Sequence, residues 1–305
     1  MKDGQARFLY LFIDFHRYIS IMKALLLGGT GFIGTSLARE LIGAGAEVIL
    51  VGLNSLPDSG SYGKLLSHQI DLTRPSEDLK KLADDSDIIV ILTQPDKKII
   101  DNLIEIFQEL KERKKIIYLS SMLIYRDELK LADEKSPIQP VSEYEKGKIW
   151  EEERLGGISQ THSIIIARLA NVYGNNLNRG IIKKIFSSCL EGKELTINGG
   201  GNSVRDYIYI SDLTAFLKLL IFSDAGKGKE IYNICTGEGT SVNQLVKMIG
   251  GICNKEIKVR HAPKIIEKER IVGANGKITD KAGYRAEYDI KKGLVATYKN
   301  FLGRK

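Results

Sequence analysis

Tyr144 and Lys148 stand four residues apart in Tyr144-Glu145-Lys146-Gly147-Lys148. On a helix that spacing puts both side chains on one face. An ammonium beside a phenol favours the phenolate and draws its pKa from about 10 toward working pH. Tyr144 is then a base for a substrate hydroxyl. Upstream, an apolar run ends in Ser120-Ser121, and the Ser121 hydroxyl is suited to bond the same oxygen and hold it in place. Tyr and Lys also meet at this spacing on many surface helices. The pair takes its weight from its company: a serine at a strand end and a glycine-rich turn near the start of the chain.

That turn is Gly28-Gly29-Thr30-Gly31-Phe32-Ile33-Gly34, following the apolar run that ends at Leu27. The spacing G-x-x-G-x-x-G is a variant of the dinucleotide fingerprint. Its glycines serve a tight turn, close approach of the pyrophosphate, and close helix–strand packing. The helix that follows offers free N–H groups and a positive dipole end to phosphates. Gly28, Thr30, Gly31, Phe32, Ile33 and Gly34 are the expected cofactor contacts. Eighteen residues past Gly34 the second strand ends at Gly52, where an acidic residue commonly holds the ribose of NAD. Gly52-Leu53-Asn54 carries no carboxylate there, and no Arg follows for a 2′-phosphate. Asn54 or Ser55 is left to serve. NAD is the expected cofactor, with NADP open. Asp71, followed by Leu72, closes the third strand. Its carboxylate is placed to accept from an adenine amino group, or else to form a turn or helix cap. Leu92, at the end of the fourth strand, completes the expected cofactor set.

These groups need a scaffold, and the hydropathy pattern supplies one. Short apolar runs at 23–27, 47–51, 87–92, 115–119 and 163–167 alternate with helical stretches such as 32–44 and 97–112. Continuous runs such as Asp87-Ile-Ile-Val-Ile-Leu92 suit strands buried on both faces. Strand–helix alternation gives right-handed βαβ units and a parallel, doubly wound α/β sheet. After about Gly174 the elements shorten and glycine-rich loops intervene, as at Asn198-Gly199-Gly200-Gly201-Asn202. Helices are expected over 212–222 and 242–249. The expected organisation is an extension at 1–21, a dinucleotide-binding domain at 22–174, and a smaller substrate-binding lobe at 175–305, some of whose segments return to the first domain. Residues 1–21 are read as lying outside the fold, with an oligomer contact or a membrane-surface segment as alternatives. Asp14, His16 and Arg17 interrupt their apolar stretch, which is too short and too charged to span a bilayer.

Composition narrows the rest. The net charge of +7 suits an anionic substrate. Aromatics do not interleave with the basic residues as a nucleic-acid stacking platform requires. The run Lys111-Glu112-Arg113-Lys114-Lys115 reads as the basic end of a helix. Three cysteines with no CxxC pair argue against a disulfide framework and for a reducing, cytoplasmic setting, each thiol a small buried apolar group.

Taken together, the glycine turn, Ser121 and the Tyr144/Lys148 pair resemble the extended short-chain dehydrogenase/reductases, specifically the NAD-dependent epimerase/dehydratase family. The resemblance runs from Met22 to about Phe301. It includes Arg168-Leu-Ala-Asn-Val-Tyr-Gly174, Arg205-Asp-Tyr-Ile-Tyr-Ile-Ser-Asp212 and Tyr232-Asn233. It implies a Rossmann-type fold with Ser121, Tyr144 and Lys148 as the catalytic set. It further implies Asn171 at a nucleotide-sugar, Arg205 on its diphosphate, and Arg270 as the candidate for a second diphosphate arginine. An Arg fork suits a pyrophosphate, although Arg205-Asp206 also reads as a local ion pair. Asp212 reads as a cap of the helix after it.

The chemistry so implied is removal of a hydroxyl proton by Tyr144 as the sugar is oxidised to a ketone. A 4-epimerase returns the hydrogen to the other face. A 4-ketoreductase runs half the cycle. A non-catalytic dinucleotide sensor would need the glycine turn but not the other three residues. In the related dehydratases an acidic pair follows the strand-end Ser/Thr, and related decarboxylases carry a glutamate at its second position. Here those positions are Met122 and Leu123, so elimination of water or carbon dioxide is not expected. The expected partner is a nucleotide-sugar, the expected assembly a homodimer, with no nucleic acid, no metal and no stable membrane insertion.

Overall fold

A computed structural model describes residues 22–54, 65–127, 130–175, 179–224, 226–263 and 267–302. The extension at 1–21 and Ser55 lie outside the described residues. The chain divides into two compact units that interleave in sequence. The first takes the described residues up to Leu119 together with 150–166 and 217–230. The second takes 120–149, 167–216 and the segment from Ile231 onward.

The first unit is organised by a seven-stranded, mostly parallel sheet. Its strands are β1 (Lys23–Leu27), β2 (Glu47–Gly52), β3 (Leu65–Gln69), β4 (Ile88–Ile91), β5 (Lys115–Ser121), β6 (Ser163–Leu169) and β10 (Gly228–Ile234), in the order β10-β6-β5-β4-β1-β2-β3. β1 pairs in parallel with β2 on one side and β4 on the other, so the winding reverses between β1 and β4. In a doubly wound sheet the crevice at such a switch point, outside the carboxyl ends of the strands, receives the ligand. Ala24 to Leu27 and all of β4 are buried, as the unbroken apolar runs require. Helix α1 (Phe32–Gly43) buries Gly34, Leu37, Ala38 and Leu41. Helices α2 (Glu77–Asp84) and α3 (Lys97–Gln108) carry the next crossovers, each started by a side-chain cap, Ser76 and Asp96.

The basic run at 111–115 lies beyond the end of α3 and does not cap it, because the helix stops at Gln108. Its cations serve other elements. The Lys115 ammonium is buried against the carbonyls of Leu220, Ile221 and Ser223, which close helix α6 (Ile210–Phe222). Lys114 donates to the Asp84 carbonyl at the end of α2. Helix C-termini leave carbonyls unsatisfied and favour cations, which here come from a distant strand start.

The second unit contains a small sheet in which β9 (Val204–Tyr209) pairs with β7 (Asn171–Tyr173), β11 (Gly239–Ser241) and β13 (Arg270–Ile271). A two-stranded parallel ribbon joins β8 (Leu195–Asn198) to β12 (Val259–Ala262). Among its helices are α4 (Glu143–Gly156), whose first residues belong to this unit, and α5 (Ile181–Glu191). Its core holds a polar network. Arg168 donates to the Tyr125 hydroxyl at 2.9 Å, which in turn bonds Asn233 at 2.7 Å. Asp212 sits in the first turn of α6 but does not cap that helix. Its carboxylate accepts instead from Tyr284 and from the amides of Glu287 and Tyr288, tying down the chain ahead of the last helix. Among the described residues no helix is long and apolar enough to cross a membrane. All three cysteines are buried free thiols.

Candidate active site

The glycine turn is held by backbone. Gly28 takes a left-handed φ of +77° and its amide donates to the Val51 carbonyl at 2.8 Å, so β2 clamps the turn that leaves β1. A Cβ on Gly34 would lie 2.3 Å from the Gly29 carbonyl oxygen, and one on Gly29 would lie 2.7 Å from that of Leu26. Both glycines are there so that α1 can pack onto the turn. Gly31 differs: an added Cβ meets only the Gly28 carbonyl, at 3.7 Å. It is the N-cap of α1, has no side-chain cap, and no acidic residue follows in the first turn. An open, uncapped helix start approached by a residue without a side chain has room and free N–H groups for an anion. Thr30 fills the space beside Gly52, where a Cβ would come 2.7 Å from its hydroxyl. The glycine that displaces the expected carboxylate is therefore demanded by Thr30. Phe32 and Ile33 open the helix.

Around this turn, Asp71 forms a side-chain turn with Thr73, accepting from its hydroxyl at 2.7 Å and its amide at 3.0 Å. Those bonds hold the carboxyl below the usual carboxylate range. The other oxygen faces Arg74 at 3.3 Å, and the side chain stays exposed. Leu72 is buried, with its carbonyl accepting from Asn102 at 2.9 Å. Leu92 continues β4 by donating to the Leu27 carbonyl at 2.8 Å.

Ser121, Tyr144 and Lys148 all fall in the second unit. Ser121 ends β5, and its buried hydroxyl accepts from the Leu123 amide at 3.2 Å, starting a 3-10 turn over Met122–Ile124. Tyr144 and Lys148 lie in α4. Tyr144 is 37% exposed and Lys148 only 2%, so the phenol reaches outward while the ammonium is buried below it on the same face. The start of α4 is anchored by Glu145, whose amide donates to Ser142 at 3.3 Å and whose carboxylate accepts from the Val141 amide at 2.7 Å. Glu145 also forms a buried ion pair with Lys268 at 2.8 Å, and the Lys268 ammonium donates as well to the Leu123 carbonyl. One side chain thus joins the turn after Ser121 to the residue after Tyr144. Met122 is buried against Gly273, and Leu123 is half-buried.

Asn171, Arg205 and Arg270 lie on β7, β9 and β13 of the small sheet, but only the first two share a face: Arg270 pairs in register with Val204, on the side opposite Arg205. Asn171 pairs in register with Tyr207 and hydrogen-bonds its hydroxyl, while burial pushes the phenol up to about 12. Arg205 donates to the carbonyls of Val204 at 2.9 Å and Lys268 at 2.6 Å and faces Glu267 at 3.6 Å. It forms no pair with Asp206. Neighbouring strand residues point to opposite faces, and Asp206 accepts from Thr236 and Gly237 instead. Burial raises the Asp206 carboxyl to about 6. Arg270 leaves its buried Nε without a hydrogen-bond partner, beside the space opened by Gly239.

Two buried carboxylates escape a reading of the sequence. Glu151 bonds the Tyr118 hydroxyl and accepts from the Asp96 amide at 2.9 Å. Glu145 meets Lys268 across 123 positions. No local spacing signals either partner; only the Ser142-x-x-Glu145 capping pattern could have drawn attention to one of them.

A parallel sheet with a glycine cradle at its switch point, joined in one chain to a Ser/Tyr/Lys set, defines a dinucleotide-binding enzyme scaffold. Residues 24–235 match the NAD dependent epimerase/dehydratase family, and the chain belongs to it. Among curated proteins it is 27% identical to a UDP-N-acetyl-alpha-D-glucosaminuronate decarboxylase of Bacillus cytotoxicus, over 79% of this chain and 83% of that protein. It is 24% identical to a UDP-glucose 4-epimerase of Mycolicibacterium smegmatis, over 93% and 99%. Among solved structures, a UDP-glucuronic acid 4-epimerase from Bacillus cereus in complex with UDP-glucuronic acid and NAD shares the fold. The TM-score is 0.83 at 21% identity, covering 93% of this chain and all of that one.

Proposed function

We propose that this chain is a nucleotide-sugar 4-epimerase that works with NAD through a transient 4-keto sugar. The observation that carries this reading is the pairing of an outward-reaching Tyr144 with a buried Lys148 on one helix, next to a strand end whose side chains beyond Ser121 are apolar. The glycine cradle fits a dinucleotide: Gly31 leaves room for a pyrophosphate at the uncapped start of α1, while Gly28 and Gly34 shape the turn beneath it. When bound, NAD takes up and returns the carbon-bound hydrogen of an alcohol.

The chain's own residues do the rest. Lys148 favours the ionised phenol of Tyr144, which accepts the hydroxyl proton and later gives one back. Ser121 bonds the same substrate oxygen. Asn171 and Arg205 are the proposed contacts for the nucleotide-sugar, with the Arg205 fork suited to its diphosphate, whereas Arg270 stands on the other face of the sheet. Asp71 takes the adenine. Met122 and Leu123 carry no proton donor or acceptor, so neither elimination nor decarboxylation is assisted from those positions.

Gly52 favours a second reading, a 4-ketoreductase using NADPH, because it presents no carboxylate to a 2′-phosphate. Release of the cofactor separates the two. Purified protein, denatured and assayed for nucleotide, is expected to yield tightly held NAD. Protein that arrives free of cofactor and consumes NADPH in proportion to a keto-sugar would establish the reductase instead.

A further inference from the structure

We propose that Lys268 is a positioning residue for the proton-transfer set, coupling the Ser121 turn to the start of the Tyr144 helix; this rests on the function proposed above. Lys268 and Glu145 are 4% and 7% exposed. Two charges are expensive to remove from water unless their remaining bonding capacity is met. Here it is met by main-chain groups at defined places. The ammonium donates to the Leu123 carbonyl, two residues past Ser121, and the carboxylate accepts from the Val141 amide, three residues before Tyr144. The Leu123 amide is itself bonded to the Ser121 hydroxyl. A continuous chain of bonds therefore runs from Ser121 through Leu123 and Lys268 to Glu145, the residue adjoining Tyr144.

The segment bearing Lys268 is fixed on both sides. The amides of Glu269 and Arg270 donate to the two carboxylate oxygens of Asp127, in the loop that follows the Ser121 turn. The Lys268 carbonyl accepts from Arg205 at 2.6 Å, and Glu267 accepts from Ser203 and faces Arg205. Residues 267–270 thus strap Arg205, the proposed diphosphate arginine, to the proposed acid–base groups. Removing only the ammonium would leave the Glu145 carboxylate buried without its counter-ion and the Leu123 carbonyl without its cation, and it would release Ser121 from Tyr144. Neither Lys268 nor Glu145 acts on the substrate in this scheme. Proton transfer tolerates little misplacement between donor and acceptor, so loosening the strap lowers the rate of the bound complex more than the affinity.

The test uses the full chain with Lys268→Met, Lys268→Arg and the double variant Glu145→Gln/Lys268→Met. The double variant removes the stranded charge, and it stands in if the single variant fails to fold. Turnover of UDP-glucose, UDP-glucuronate, dTDP-glucose and GDP-mannose is measured well below each melting temperature, and amide hydrogen exchange is followed by NMR. The methionine variants are expected to lose at least about tenfold in kcat with KM unchanged, while Lys268→Arg stays near wild type. The Leu123 and Val141 amides should exchange at least about tenfold faster in the methionine variants, with the Gly28 amide unaffected. Unchanged exchange at Leu123 and Val141, or a kcat equal to wild type in both methionine variants, would overturn the proposal. If the wild-type chain interconverts none of the four sugars, the proposed function fails, and the exchange rates still decide the coupling.

Discussion

The glycine turn of the first unit and the Lys268 strap of the second both position a proposed ligand, but by opposite means. At the turn the determinant is the absence of side chains: Gly34 and Gly29 have backbone where a Cβ would go. The bonds run between β1 and β2, neighbours in one sheet. At the strap the determinant is side chains: a buried ammonium bonds a carboxylate and a carbonyl 123 and 145 positions away. A site made by backbone is constrained at each residue separately. A site made by a long-range ion pair is constrained only as a whole, and its partners mean nothing alone.

Changes at the two places should fail in different ways. The largest effect is expected at neither. Tyr144→Phe should lower turnover by about a thousandfold, within the span of acid–base catalysis, with the melting temperature and NAD affinity unchanged. Near wild-type rates with a true substrate would remove Tyr144 as the base. Within the turn, Gly34→Ala forces a Cβ against the Gly29 carbonyl and should cost about 3 kcal/mol of stability, or about 6 °C in melting temperature. Gly31→Ala meets no such contact and should leave the melting temperature alone while weakening NAD binding. Equal losses of stability in the two variants would show that Gly31 is also a packing glycine.

A smaller effect concerns His162. Its Nδ1 accepts from the Lys114 amide at 3.1 Å and its Nε2 lies 2.8 Å from the Phe107 carbonyl, so the ring is held neutral with the proton on Nε2. Burial lowers its pKa from 6.5. The folded form thus refuses a proton that the unfolded form accepts. The stability this contributes is present above 6.5 and is lost as pH falls below it, by up to about 1.4 kcal/mol per pH unit. Chemical denaturation between pH 7.5 and 5.5 should show that slope, and His162→Asn should flatten it. The smallest effect is cofactor choice. With Gly52 in place of a carboxylate and no Arg among the ten residues that follow it in sequence, binding of NAD over NADP should differ by less than about a hundredfold, or about 2.7 kcal/mol. A larger ratio by calorimetric titration would reveal a selecting residue elsewhere.

How legible these features are in the sequence follows the same division. The doubly wound sheet and the glycine turn are readable because strand burial on both faces and a tight turn leave local marks, apolar runs and glycine spacing. Helix and strand ends move by a few residues, as where β5 extends through Ser121 and α3 stops at Gln108. The basic run at 111–115 is misread as a cap for its own helix because the carbonyls it serves, 220–223, lie a hundred positions on. Asp212 is misread for the same reason: its donors come from 284–288. Glu145 and Lys268 carry no local mark as a pair.

The proposed function is tested most directly by incubating the chain and NAD with UDP-glucose, UDP-glucuronate, dTDP-glucose and GDP-mannose, then reading products by mass spectrometry and proton NMR. A product of unchanged mass and inverted configuration at C4 is expected from at least one of them. A product lighter by water or by carbon dioxide would contradict it, since Met122 and Leu123, the two residues after Ser121, offer no acid or base for an elimination.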